Sequence, residues 1–230
     1  MAAIPSSPLH PLAIVVVVVA AMLILLPSAS LAGDADLLQD ICVADLTSTV
    51  KVNGFACKAT VTSDDFYFRG LAVAGNTSVT PYGSVVTAAN VVQVPGLNTL
   101  GVSLSRIDYT PGGVNPPHTH PRATEMIFVL QGTLDVGFVT AAGNRLVAKT
   151  LAAGDVFVFP RGLVHFQRNA GDAPAAVVAA FNSQLPGTQS LAAAVFAAEP
   201  EVPDAVLTKA FQVGTKEVEK IKSRLAPKKS

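Results

Sequence analysis

Four histidines occur in the 230 residues, and three of them, His118, His120 and His165, fall in stretches punctuated by Gly and Pro. His118-Thr119-His120 is an i, i+2 pair. On a β-strand, residues two apart point to the same face, so both imidazoles can converge on one point inside a barrel. Glu125 follows five residues later, past the turn-forming Pro121-Arg122, and heads the apolar run Met126 to Leu130. A carboxylate heading a buried strand is costly unless it is paired or bound to a cation. His165 follows Pro160-Arg161-Gly162 and is flanked by Leu163, Val164 and Phe166, a setting that suits a side chain directed inward. A lone histidine on a strand is ordinarily a hydrogen-bonded polar residue. Here every histidine beyond His10 belongs to one His-x-His…Glu…His set, and that pattern predicts a metal site. Three neutral imidazoles and one carboxylate, with room for water, suit octahedral Mn2+ or Fe2+. Catalytic zinc more often takes three protein ligands and a water, and four-ligand zinc sites are typically Cys-rich. Ligand type does not separate copper from these.

Such ligands need strands to hold them. Leu100, Val102 and Leu104 alternate with polar or small residues up to the turn signal Pro111-Gly112-Gly113. Further strands are read at Met126 to Leu130, Leu134 to Phe138, Leu146 to Leu151, Val156 to Phe159 and Ala175 to Phe181, separated by Gly132, Gly143-Asn144, Gly154 and Pro160-Arg161-Gly162. Short strands with Gly or Pro about every ten residues predict an all-β sandwich or barrel, with no helices between them for parallel crossovers. Beyond Pro186 the period changes. Leu191 to Ala198, Pro203 to Phe211 and Thr215 to Leu225 predict short helices, the last with Thr215 as N-cap and Val218, Ile221 and Leu225 on one face. That face must be covered by the barrel itself or by another subunit.

Leu12 to Leu26 is an unbroken apolar run followed by Pro27 and the small residues Ser28 to Ala32. This predicts a secretory signal peptide over 1–32, although the leader before it holds no Lys or Arg. The rival reading, an uncleaved anchor, asks for about 20 residues to span a bilayer. Two cysteines remain, Cys42 and Cys57, and in an oxidising compartment they are expected to form a disulfide. Asn76-Thr77-Ser78 is an N-glycosylation acceptor. Half of the residues are hydrophobic, 14% are charged and the formal net charge is zero. That balance argues against nucleic acid or an anionic membrane surface as partner. The basic stretch Lys216 to Lys229, interrupted by Glu217 and Glu219, reads as a solvated helix face.

Gly112, His118, His120, Glu125 and Gly132 match the first cupin motif, and Gly154, Pro160, Gly162, His165 and Asn169 match the second. With Gln39 to Leu46, Phe181 to Gln184 and Val206 to Phe211, the mature chain resembles plant germins and germin-like proteins. The resemblance implies one germin-type cupin domain over 33–230: a jelly-roll β-barrel (core about 60–185) with a short α-helical C-terminal appendage (about 190–226). It also implies Mn2+ on His118, His120, Glu125 and His165, and a Cys42–Cys57 disulfide. The protein would be a glycosylated homohexamer, a trimer of dimers, in the apoplast or cell wall. Three activities fit it. One is superoxide dismutation yielding hydrogen peroxide, with a role in plant defence. Another is oxalate oxidation, for which the family's oxidases use two asparagines near the metal. Asn115 matches one of these, while Ser105 stands at the other and offers one donor where an amide offers two. The last is a non-enzymatic wall or receptor-like role with a structural metal.

Overall fold

Alternation within the apolar stretches is what builds the sheets. The computed structural model describes residues 39–51 and 54–226, and the signal-peptide reading of 1–32 lies outside them. Ten strands occur in chain order: β1 (Ser84–Ala89), β2 (Ser103–Tyr109), β3 (Val114–Thr119), β4 (Glu125–Gln131), β5 (Thr133–Val139), β6 (Leu146–Ala152), β7 (Val156–Phe159), β8 (His165–Asn169), β9 (Ala175–Phe181) and β10 (Gln189–Ser190). They form two antiparallel five-stranded sheets, ordered β1-β2-β9-β4-β7 and β10-β3-β8-β5-β6. The fold is the all-β cupin jelly roll.

β4 shows how the sequence writes this architecture. Glu125, Ile127 and Val129 point inward and are buried, whereas Met126 and Phe128 point outward and are 47% and 45% exposed. Burying Ile127 and Val129 contributes roughly 1.5–3 kcal/mol each. They join Ile107, Tyr109, Leu134, Phe159 and Val177 in a core filled from both sheets. β2 runs in the opposite phase from its apolar pattern. Val102 and Leu104 face solvent, and Ser103, Ser105, Ile107 and Tyr109 face inward. The inner end of β2 lines a cavity, where small polar residues replace core side chains.

The N-terminal segment is stapled beside this barrel. Cys42 and Cys57 form the expected disulfide, with Cα atoms 4.8 Å apart. The closed loop is fixed to the barrel side by Ala44 N–H donating to Pro95 O at 2.9 Å and by Asn98 Nδ2 donating to Phe55 O at 3.0 Å. Asn76 is exposed, and its Oδ1 accepts from Ser78 N–H at 3.1 Å at the start of a 3-10 turn.

Three helices follow β10: α1 (Leu191–Phe196), α2 (Asp204–Phe211) and α3 (Thr215–Leu225). Gly214, not Thr215, is the N-cap of α3, and no side chain bonds into that cap. Thr215 already has helical geometry, so its hydroxyl is past the position from which it could accept from the first turn. The apolar face of α3 is covered in part within the chain: Val218 is buried, while Ile221 and Leu225 stay partly exposed. α3 packs on both α1 and α2, burying Val218 and Leu207 completely. Lys222 Nζ ties the group together, donating to Glu201 Oε2 at 2.7 Å and Val202 O at 3.0 Å and pairing with Asp204 at 2.6 Å.

Two outcomes follow from these contacts. Cys42→Ser should lower unfolding stability by about 3 kcal/mol, the chain-entropy value for a loop near 15 residues, as read by denaturant titration. Asp204, then Glu201, raise the pKa of Lys222 above its ordinary 10.5. Its contribution to stability is therefore full below pH 10.5 and is lost as pH rises through the folded value. The Tm difference between wild type and Lys222→Met should shrink in that alkaline window.

Candidate metal centre

His118 lies in β3, His120 one residue past its end, Glu125 at the head of β4 and His165 at the head of β8. The structure brings all four together, each buried, with one ligand atom apiece lying within 4.8 Å of all the others. Register explains the convergence. His118 pairs directly with His165 across β3 and β8, and Glu125 pairs with Phe159 and Phe181 on the facing sheet. The turn before β8 is bonded to the turn after β3: Gly162 N–H donates to His120 O at 3.1 Å and Arg161 Nε to Pro121 O at 2.9 Å. Gly162 has φ +75, which only glycine adopts without strain.

The imidazoles are oriented by the backbone. His118 Nδ1 lies 2.7 Å from Pro116 O and His165 Nδ1 lies 2.8 Å from Leu163 O. A carbonyl can only accept, so each Nδ1 carries the proton and each Nε2 presents a lone pair, the arrangement found in metal-bound histidines. His165 also stacks on Phe159 at 4.5 Å, and His120 meets the edge of Phe181 at 4.9 Å.

The donor set fits a cation. Glu125 Oε2 sits 3.0 Å from His120 Nε2 and 2.9 Å from His165 Nε2. Both nitrogens of His165 thus face oxygen acceptors, which a neutral ring with one N–H cannot satisfy. A divalent ion among these atoms satisfies both Nε2 lone pairs and the carboxylate without charging the rings. Burial, and next His165, push His118 down to about 4. Burial alone would raise Glu125, but its close contacts with the His120 and His165 rings outweigh it and hold the carboxyl down to about 2. At neutral pH both residues are already in their metal-binding forms.

Sequence reading missed the support of Glu125. Gln167, fully buried on β8, donates from Nε2 to Glu125 Oε1 at 3.3 Å. Its own Oε1 accepts from Tyr109 Oη at 3.0 Å and from Asn115 Nδ2 at 2.7 Å. The signal was present, since Gln167 stands two residues after His165 and shares its face by the rule that relates His118 to His120. Asn115 reaches the same region only through a bulge. Asn115 pairs with Gln167 and His118 with His165, so three steps on β3 oppose two on β8. Pro116 and Pro117 occupy the bulge, where no ladder N–H is required. Asn115, Ser105, His118, His120 and Glu125 line a cavity of about 310 Å3 that opens beside the ligands. Ser105 Oγ is buried in its wall with no hydrogen-bond partner among the described residues.

Residues 69–219 match the cupin family model. A rice relative (Oryza sativa subsp. japonica), germin-like protein 5-1, is 79% identical over 213 residues, covering 93% of this chain and 96% of its own. The chain belongs to the germin-like proteins of the cupin family. Another relative, the rhicadhesin receptor of Pisum sativum, is 64% identical over 197 residues, covering 85% of this chain and 90% of its own. The solved structure of a recombinant oxalate oxidase in complex with glycolate superposes with a TM-score of 0.80 at 48% identity, over 84% of this chain and 98% of that one. The germin-like barrel is therefore common ground between sequence, structure and relatives, and the buried group of three histidines and one glutamate is common to the sequence reading and the structure.

His120→Ala should abolish stoichiometric metal binding. Gln167→Leu should weaken it about 10- to 100-fold, the usual effect of removing a partner that orients a ligand. Competition against a chelator, followed by elemental mass spectrometry, checks both.

Proposed function

We propose that this germin-like chain is a secreted manganese glycoprotein of the plant apoplast or cell wall that dismutates superoxide, releasing hydrogen peroxide with a role in defence. The observation carrying this reading is the convergence of His118, His120, Glu125 and His165 beside an open cavity. Three imidazoles and one hard carboxylate oxygen, with no thiolate, favour manganese or iron, and the oxalate oxidase likeness adds to the case for manganese. A bound manganese ion would supply one-electron exchange: two superoxide ions and two protons give dioxygen and hydrogen peroxide. The residues do the rest. The four ligands hold the ion, Gln167 fixes the Glu125 carboxylate, and Phe159 and Phe181 exclude water from the imidazoles. Asn115 retains a second amide N–H for a ligand in the cavity.

The apolar segment 12–26, the Cys42–Cys57 disulfide and the exposed Asn76 support an extracellular glycoprotein. Self-association as a homohexamer is supported by the half-exposed outer face of β4 and β7, where Met126, Phe128, Val156 and Val158 form one apolar patch.

The 48% identity to an oxalate oxidase favours a second reading, oxalate oxidation on the same centre. Ser105 argues against it. Its lone hydroxyl in the cavity wall offers one donor to a dianion that an amide would grip with two.

Metal content and both turnovers, measured on one secreted preparation, decide between them. About one manganese per chain with superoxide dismutation and no oxalate oxidation is the expected result. Oxalate turnover would show that Ser105 is tolerated. Stoichiometric metal with neither activity would favour the binding role that the pea relative's name suggests, and absence of metal would overturn the proposal.

A further inference from the structure

Two residues in the cavity wall carry formal charge, Glu125 and Arg122. Glu125 is turned toward His120 and His165, and its charge is spent on them and on any cation they share. Arg122 is left as the uncompensated charge of the wall. It makes no ion pair with any described residue.

The placement of Arg122 is built by backbone. It follows His120 by two residues in the turn between β3 and β4. Its N–H donates to Pro186 O at 3.3 Å and its Nε to Leu185 O at 2.8 Å. Leu185, Pro186, Gly187 and Thr188 form the strap that closes one side of the cavity. The guanidinium lies flat against Gly187, where an added Cβ would stand 2.6 Å from Cζ and 2.7 Å from Nη1. Gly187 itself has φ +71, so both its conformation and its missing side chain serve this contact. The two Nη groups make no hydrogen bond with any described residue, which leaves four N–H donors unused. A long side chain held at its Nε by a main-chain carbonyl, with its charged end free at a cavity, is placed to meet an anion.

We propose that Arg122 is a specificity-determining residue that draws small anions into the cavity by its charge. This rests on the reading of the cavity as the route to the metal centre. Charge steering accounts for the effect: a fixed cation at the mouth of a low-dielectric cleft raises the local concentration of anions, and salt screens it. The main-chain bond to Leu185 could instead serve only to hold the strap, and the substitutions below separate the two roles.

The experiment uses the secreted full-length protein with its metal, and azide as the probe anion, with binding followed by calorimetry at several ionic strengths. Arg122→Gln should weaken azide about 3- to 10-fold at low salt, and Arg122→Glu more. Arg122→Lys, which keeps the charge and loses the planar fork, should stay within about twofold of wild type. The wild-type affinity should fall with added salt, and the Arg122→Gln slope should be flatter. Metal content equal to wild type in each variant shows that the centre is intact. Azide binding that ignores charge at position 122, or a wild-type affinity flat in salt, overturns this inference and leaves the proposed function standing. Metal-replete wild type that binds no azide removes the open anion site, and with it both readings.

Discussion

A single carboxylate in the interior of an apolar barrel is the constraint around which this molecule is organised. Glu125 is 1% exposed and heads a strand whose next inward residues are Ile127 and Val129. Left unpaired, an ionised group there would cost several kcal/mol. The chain meets that cost by converging three imidazoles on it from two other segments, and by giving its second oxygen to Gln167. Everything that fixes His120 relative to His165 is therefore also what makes Glu125 tolerable, and a divalent cation held there would offset the carboxylate charge that neutral imidazoles leave uncompensated.

The two sheets divide the work. The β1-β2-β9-β4-β7 sheet provides the carboxylate and much of the apolar filling, while β3 and β8 of the other sheet provide His118, His165, Gln167 and Asn115. Direct pairing of His118 with His165 makes their convergence a matter of ladder register, which a one-residue slip would destroy. The proline-containing bulge in β3 then places Asn115 against Gln167 and carries a hydrogen-bond chain from the cavity wall to the metal ligand. A change in the wall and a change at the ligand are linked through one side chain.

Segments outside the barrel extend the same logic. The strap at 185–188 closes the cavity, and Arg122, two residues from a ligand, is bonded to it. The disulfide-closed N-terminal loop is tied to residues 95–98, which bond in turn to Gln184 just before the strap. The helices cover one another through Leu207 and Val218, while Val206 and Phe211 stay half-exposed on α2, as do Met126, Phe128, Val156 and Val158 on the outer face of β4 and β7.

Residue type and spacing alone determined a good deal. Period-two alternation between Gly and Pro turns is a local property, and it marked β4, β5, β6, β7 and β9 nearly to the residue. The scarcity of histidine and the i, i+2 rule singled out His118, His120, Glu125 and His165 for the same reason, since ligand chemistry is restricted to few side chains. What needed the fold was everything set by long-range register. Apolar alternation in Val102 and Leu104 does not say which face turns inward, and the inner face proved to be Ser103 and Ser105 because a cavity, not the core, lies behind them. The bulge that redirects Asn115 breaks the periodicity on which sequence reading depends. The hydrogen bonds of Gln167 and the seat of Arg122 on Gly187 join residues 42 to 65 positions apart, and the mutual burial of the C-terminal helices depends on how separate elements pack, so no local pattern encodes them.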